Sequence, residues 1–462
     1  MSDSPWAGDA CGLVDAFRSG QRSPEEELDA SLNAIAASQL NAFCHLDAEV
    51  AAKTAAEADP SAPFGGLALA VKELDPVDGW PLTEASLVFA DRVATADATV
   101  VTRLRESGAA LVGQTTASEF GGLNVSVSRL HGVTGNPWDR TRTTGGSSAG
   151  SAAAVAGGLV PLATGGDGGG SIRIPAGFCG LLGMKGTAGR IPRGPKTVIG
   201  PLTVVLGCMA RSVRDVARYF DVCNGHDSRD PYSLPRVEGW ERDLGRHDLR
   251  GRRVAIAPTL GTAVVRPEVE ALVIEAGEAL ARDAGLQVVD VSMALPGLGL
   301  EWAVANLATL LGELGDRYPD CAPELTTEMA FGLQMASQVL DLDMAARAEV
   351  NRTAANEAMA DVFDQVDFLV CATNPDVAYP ADCTLNSKVG DRTVGPENNG
   401  ALTIPANISG NPAISIPAGL VEQLPVGVQV VGRHHADALL LDLALVAERE
   451  RPWPLVAPGS PL

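Results

Sequence analysis

Positive charge is scarce in this chain: 35 Lys and Arg stand against 57 Asp and Glu in 462 residues, a formal charge of −22. Such a surface repels phosphate at long range, so nucleic acid and anionic membranes are not expected partners. Long apolar runs are also missing. The longest small and apolar stretch, Ala152 to Ala163, is broken by Gly157, Gly158 and Pro161 and is shorter than the roughly 20 residues a bilayer crossing needs. The N-terminus, MSDSPWAGDACG, has neither the basic nor the apolar segment of an export signal, and the expected location is cytoplasmic. Cysteines at 11, 44, 179, 208, 223, 321, 371 and 383 are scattered, with no C-x-x-C and no histidine cluster. Neither a zinc site nor a disulfide framework is indicated, and most are expected to be small buried thiols. No cofactor motif is complete: G-x-x-x-x-G-K-[ST] is absent, and Gly166-x-Gly168-x-x-Ser171 lacks the last glycine of a dinucleotide fingerprint.

What is present is an ordinary globular composition, 46% hydrophobic and 20% charged, in a length that allows about three domains or one large α/β unit. Helical spacing over Glu25–Ala37 and Ala48–Ala58 precedes an apolar run, Leu67–Val71, that ends at Lys72. Thr99–Ser107 and Ser151–Val160 read as helices, Ala109–Val112 and Pro161–Thr164 as strands. Later apolar runs at Val254–Ala257, Val288–Val291, Phe368–Ala372, Ala413–Ile416 and Val426–Val431 alternate with helical segments. The alternation predicts an α/β fold, a large mixed β-sheet between helices, in a single domain spanning 1–462. Gly225–Arg250 reads as an exposed connection, and residues from about 295 to 365 as a helical insertion.

The informative stretch runs from Thr144 to Pro192, where two Gly/Ser loops bracket a helix and a short strand. A helix of about ten residues covers roughly 15 Å, and a strand of about five residues returns a similar distance. Ser147 and Ser171 are thereby expected at the same end of the sheet. Glycines let successive N–H groups converge on one point, the arrangement an oxyanion requires, although a flexible turn also fits the loop, and a phosphate cradle fits it more weakly because no phosphate motif is complete. A serine nucleophile also needs a base. The six histidines sit in no motif. Of the five lysines, Lys72 ends an apolar strand, where burial lowers the amine pKa toward neutrality, although a strand-end lysine reaching solvent is the simpler reading of its position.

The stretch GGSSAGSAAAVAGGLVPLATGGDGGGSIRIPAGFCGLLGMKGT resembles the amidase signature family of serine hydrolases. The resemblance extends to LALAVKELDPVDG, GQTTASEFG and GNPWDRTRTTGGSS upstream, and to NISGNPAISIPAG and LPVGVQVVGR downstream. It covers nearly the whole chain, most densely over about 60–200 and most weakly between about Arg190 and Gln365. It implies a triad in which Lys72 is the base, Ser147 the bridging serine behind a cis peptide bond, and Ser171 the nucleophile. It further implies an oxyanion hole of the N–H groups of Gly168, Gly169, Gly170 and Ser171, with Ser148, Asp167 and Arg173 bracing the loops. Gly121 and Gly122 are implied to contact substrate. Ala149 stands where the family usually has Gly, Gly166 and Gly168 replace frequent Thr residues, and Gly186 replaces a Pro.

The implied activity is hydrolysis of a C–N bond in an amide or carbamate through an acyl-enzyme, carbamoyl- or carbonate-like for urethanes, without cofactor or metal. Low lysine content and overall length also resemble bacterial urethane hydrolases. The expected partner is a small-molecule substrate, and the expected state is a monomer or homodimer. Two other readings stand beside this one. The chain can be the amidase subunit of a tRNA-dependent amidotransferase. Alternatively Gly146-Ser147-Ser148-Ala149-Gly150 satisfies G-x-S-x-G, which would make Ser148 the nucleophile of an α/β-hydrolase-type esterase with His434 or His435 as base. Against the second, NPWDRTRTTG does not read as the strand that must precede such an elbow. Trp302, Leu310, Met329, Phe331, Met335 and Leu340 in the helical insertion form an apolar inventory suited to an aryl or alkyl group, and equally to helix packing.

Overall fold

Eleven strands among the described residues build one mixed sheet: β1 (Phe43–Leu46), β2 (Ala68–Lys72), β3 (Ala110–Thr115), β4 (Leu162–Asp167), β5 (Leu182–Lys185), β6 (Val205–Ala210), β7 (Arg253–Ile256), β8 (Gln287–Val288), β9 (Phe368–Ala372), β10 (Ala413–Val421) and β11 (Leu424–Gly432). The computed structural model describes residues 4–196, 203–339, 341–383 and 385–461. Across the sheet the order is β1-β3-β2-β4-β6-β5-β10-β11-β9-β7-β8. β2 is parallel to β3 and β4, and β7 is parallel to β8 and β9, while the remaining pairs are antiparallel.

The helices in chain order are α1 (Ala10–Ser19), α2 (Pro24–Ala37), α3 (Ala48–Ala56), α4 (Thr99–Glu106), α5 (Ala149–Ala156), α6 (Arg173–Cys179), α7 (Val213–Cys223), α8 (Pro267–Ala284), α9 (Gly299–Leu314), α10 (Thr327–Val339), α11 (Leu342–Gln365), α12 (Ile404–Ile408) and α13 (Asp437–Glu450). No described helix is long and apolar enough to cross a membrane.

Both faces of the sheet are covered, because successive side chains of a strand leave on opposite sides. Leu69, Val71, Leu111, Leu162 and Cys208 pack with Leu13 of α1, Leu104 of α4, Phe220 of α7, Val273 of α8 and Leu440 of α13. Each such buried side chain contributes about 2 kcal/mol of hydrophobic stabilisation. Ala68, Ala70, Val112, Ala163 and Met209 face the other way, onto α2, α3 and the alanines of α5. Small residues bring α5 very close to the strands. An added methyl at Gly150 would lie 2.3 Å from the Ala42 carbonyl and 2.4 Å from the Thr116 nitrogen.

The α/β expectation holds, and several details differ. β4 continues through Gly165 and Gly166 to Asp167, because β6 supplies antiparallel partners as far as Val205 opposite Asp167. Asp139–Thr143, read as non-strand, forms a strand paired with Gly135–Asn136 in a ribbon outside the main sheet. Gly225–Arg250 is irregular as expected, yet Trp240 and Leu249 in it are buried, Trp240 against Phe220. The helical insertion holds three α-helices among the described residues, α9 to α11. Six of the eight cysteines are buried thiols.

Candidate active site

The alternation along β2 fixes the direction of its last side chain. Lys72 shares the face of Ala68 and Ala70, toward α5, and is 2% exposed. The chain enters α5 just after Ser147 and Ser148, descends the helix and returns along β4, which is parallel to β2. The α5 N-terminus and the loop after β4 therefore meet at the end of β2 that carries Lys72. There Lys72 Nζ donates to Ser147 Oγ at 2.8 Å and to the Gly166 carbonyl at 3.4 Å. The Gly146–Ser147 peptide bond is cis. The Ser148 N–H donates to the Ser171 carbonyl at 3.3 Å, which ties the two serine loops together.

Burial pushes the Lys72 amine down from its ordinary 10.5 to about 8, although Asp75, Asp167 and Glu73 each pull it upward. Its own backbone is braced: the Lys72 N–H donates to Thr164 Oγ1 at 2.9 Å, and that hydroxyl donates to Asp75 at 2.7 Å. Burial in turn raises the Asp75 pKa.

The Asp167–Arg173 pair is fully buried, with N–O 2.8 Å. Burial alone would favour the neutral acid, but Arg173, Lys185 and Asn407 hold Asp167 well below the usual carboxylate range. Its two oxygens accept from the N–H groups of Gly170 and Ile172 as well as from Arg173 and Asn407. Arg173 also donates to Gln429, Asn407 and the Thr403 carbonyl. This network also engages one of the N–H groups expected as oxyanion donors. The Gly170 N–H is committed to Asp167 Oδ1 at 2.8 Å, whereas the N–H groups of Gly168, Gly169 and Ser171 have no hydrogen-bond acceptor among the described residues.

On the opposite side of Ser147 lies the short turn holding Gly121 and Gly122. Ser118 N–H donates to the Ser147 carbonyl at 3.2 Å, and a methyl added at Gly121 would come within 3.2 Å of Ser147 Oγ. Gly122 lies against Met329 of α10, whose terminal carbon would be 2.8 Å from an added methyl. Glu119 anchors this turn, accepting from Ser86 at 2.7 Å and from the Thr326 backbone and hydroxyl at 2.8 and 2.7 Å. Of the apolar inventory, Met329 and Leu310 are buried, Phe331 and Met335 are exposed, and Leu340 lies outside the described residues.

Ser148 does not stand in an esterase site. It is fully buried with its hydroxyl 3.5 Å from the Gly166 carbonyl, while the His434 ring is bonded to the Ser409 carbonyl at 2.6 Å. Among the described residues Cys44, Glu73 and His131 cluster closely enough to hold a metal. Both Glu73 oxygens, however, already accept from protein groups: Ala117 N–H at 2.6 Å on one, Thr83 at 3.1 Å and the His131 ring at 2.8 Å on the other.

The sequence model of the family described as Amidase matches residues 26–441. The chain belongs to the amidase family. It is an amide-hydrolysing enzyme of that family, and the elbow reading of Ser148 is set aside. The acylamidase of Rhodococcus erythropolis is 32% identical over 487 residues, covering 98% of this chain and 97% of that one. A glutamyl-tRNA(Gln) amidotransferase subunit of Chloroflexus aurantiacus is 34% identical over 470 residues, 95% of each chain. Among solved structures, a bacterial aryl acylamidase of the amidase signature family superposes with TM-score 0.90 at 26% identity, covering 97% of both chains. The 6-aminohexanoate cyclic dimer hydrolase complexed with substrate gives TM-score 0.88 at 26% identity over 98% of this chain and 99% of that one.

Asn407, Gln429, Thr403, Thr164 and Asp75 were not singled out by sequence reasoning. Asn407 and Gln429 lie in NISGNPAISIPAG and LPVGVQVVGR, two stretches that carry the family resemblance.

Proposed function

We propose that this amidase hydrolyses the C–N bond of a small linear amide or carbamate through an acyl-enzyme on Ser171, with Ser147 as proton relay and Lys72 as base. The 2.8 Å contact between a buried Lys72 and Ser147 carries this reading, because an amine whose pKa falls to about 8 is substantially neutral in mild alkali. Neutral Lys72 takes the Ser147 proton as Ser147 takes that of Ser171, and Ser171 Oγ forms the bond to the substrate carbonyl carbon. The carbonyl electron pair moves to oxygen, where the N–H groups of Gly168, Gly169 and Ser171 receive it. Collapse breaks the C–N bond, and the proton returns from Lys72 through Ser147 to the leaving amine. Water then attacks through the same relay and breaks the Ser171 ester, releasing the carboxylic acid, or for a urethane the carbonic acid half-ester, which loses CO2 to leave the alcohol.

The acylamidase and aryl acylamidase relatives favour an N-acyl amide. The Chloroflexus relative favours a second reading, glutamine amide hydrolysis with partner subunits that use the ammonia. Fluorophosphonate labelling with peptide mapping tests the site, since that reagent is attacked by a serine both activated and aligned with oxyanion donors. The adduct is expected on Ser171 and is expected to vanish in Lys72→Ala. An adduct on Ser148 would overturn the assignment. Side-by-side turnover of p-nitroanilides, p-nitrophenyl esters, aryl carbamates and glutamine separates the substrate classes.

A further inference from the structure

The glycine loop before Ser171 is held through its carbonyl oxygens. Asn407 Nδ2 donates to the Asp167 carbonyl at 2.9 Å, Trp302 Nε1 to the Gly168 carbonyl at 2.7 Å, Thr403 Oγ1 to the Gly169 carbonyl at 2.6 Å, and the Ile174 N–H to the Gly170 carbonyl at 2.7 Å. Four consecutive carbonyls thus have donors, three of them from side chains more than 130 residues away in sequence. A trans peptide is planar, with its C=O and N–H pointing in opposite directions, so holding the oxygen of one residue aims the N–H of the next. The Gly169–Gly170 peptide shows the rule at work. Its oxygen is drawn to Thr403, and its N–H points at Asp167. By the same geometry Trp302, pulling on the Gly168 oxygen, turns the Gly169 N–H away from α9.

We infer that Trp302 and Thr403 are positioning residues for the Gly168–Ser171 loop: Trp302 aims the Gly169 N–H at the developing oxyanion, and Thr403 fixes the next peptide with its Gly170 N–H turned onto Asp167, which holds the loop in that orientation. The inference rests on the proposed role of Ser171 as nucleophile. Triple glycine makes external anchoring necessary, because Gly168, Gly169 and Gly170 have no side chains of their own to limit the backbone. Trp302 also fills the space where a side chain at Gly169 would project: an added methyl there would lie 2.9 Å from its ring nitrogen. Since Trp302 belongs to α9, the helical insertion is hydrogen-bonded directly to the Gly168–Ser171 loop.

Trp302→Phe keeps an aromatic ring and removes the donor, and Thr403→Val keeps the shape and removes the hydroxyl. For each, kcat on an anilide is expected to fall roughly tenfold with KM within about twofold, less than the loss of an oxyanion donor itself. Affinity for a trifluoromethyl ketone matching the acyl group, whose adduct carries the oxyanion, should fall by the same factor as kcat/KM. Thr403→Ser, which restores the donor, should recover most of the activity. Thermal melting accompanies each variant, and the contrast between Thr403→Ser and Thr403→Val decides the question if Trp302→Phe does not fold. A loss confined to KM, with ketone affinity unchanged, would show that Trp302 is only a pocket wall and overturn the inference. So would unchanged kinetics in both variants while fluorophosphonate still labels Ser171. Labelling elsewhere in the unaltered enzyme would instead overturn the nucleophile assignment, and this inference with it.

Discussion

Lys72 Nζ stands 2.8 Å from Ser147 Oγ in a site where the lysine is 2% exposed. The contact joins the last residue of β2 to Ser147, two residues before α5, elements whose relative position is set by the alanine packing between them. With no ion-pair partner among the described residues, the buried amine is held near the point where it exchanges its proton.

Activity is expected to rise with pH through about 8, the depressed pKa of Lys72, because the base works only when neutral. A kcat/KM profile across neutral and alkaline pH reads this directly. A maximum in mild acid would contradict a lysine base.

Ser171→Ala is expected to abolish turnover, Lys72→Ala nearly so, and Ser147→Ala to leave the most residual activity, roughly one part in a hundred, since a water can stand in for a relay hydroxyl. Steady-state rates on an anilide check the order. Near-native turnover in Lys72→Ala would remove it from the base role.

Lys72→Met is expected to lose activity yet gain stability at neutral pH. Burial lowers the folded-state pKa from 10.5 to about 8, so the unfolded chain binds the proton more tightly. The native enzyme therefore gains stability as pH rises from about 8 to 10.5, and below that window it bears a cost of up to about 3 kcal/mol. Urea midpoints taken below and above this window should show a gap between variant and parent that narrows at the higher pH.

Asp167→Asn leaves Arg173 buried without its counter-charge, and a loss of about 3–5 kcal/mol is expected. The same substitution replaces one of the two oxygens that accept from Gly170 and Ile172 by an NH2 group, which cannot accept, so fluorophosphonate labelling should slow even where the protein remains folded.

Gly121→Ala places a methyl 2.9 Å from Leu74 and 3.2 Å from Ser147 Oγ at a backbone φ of +66°. A fall in kcat of about tenfold or more is expected from displacing the relay hydroxyl. Gly79→Ala is the control, with φ +79° and nothing within 4 Å of the added methyl. Its stability loss of about 1 kcal/mol reports the backbone cost alone. Equal effects on turnover would show that crowding at Ser147 plays no part.

Local chemistry made part of this molecule legible in its sequence. The apolar run ending at Lys72, the serines flanking an alanine helix and the glycine run before Ser171 are contiguous patterns, and strand parity with helix length places them at one end of a sheet. The amidase family match, over residues 26–441, includes those same stretches. Pairing between distant strands was not legible: β4 runs on through two glycines because β6 supports it, and Asp139–Thr143 is a strand because Gly135–Asn136 folds back on it. The donor set proposed for the oxyanion depends on tertiary structure as well. A glycine's sequence permits many directions for its N–H, and the direction taken depends on what holds the neighbouring carbonyls. Here Trp302, Thr403 and Asn407 hold them, arriving from 134, 234 and 240 residues away along the chain, and Asp167 claims the N–H of Gly170 for itself.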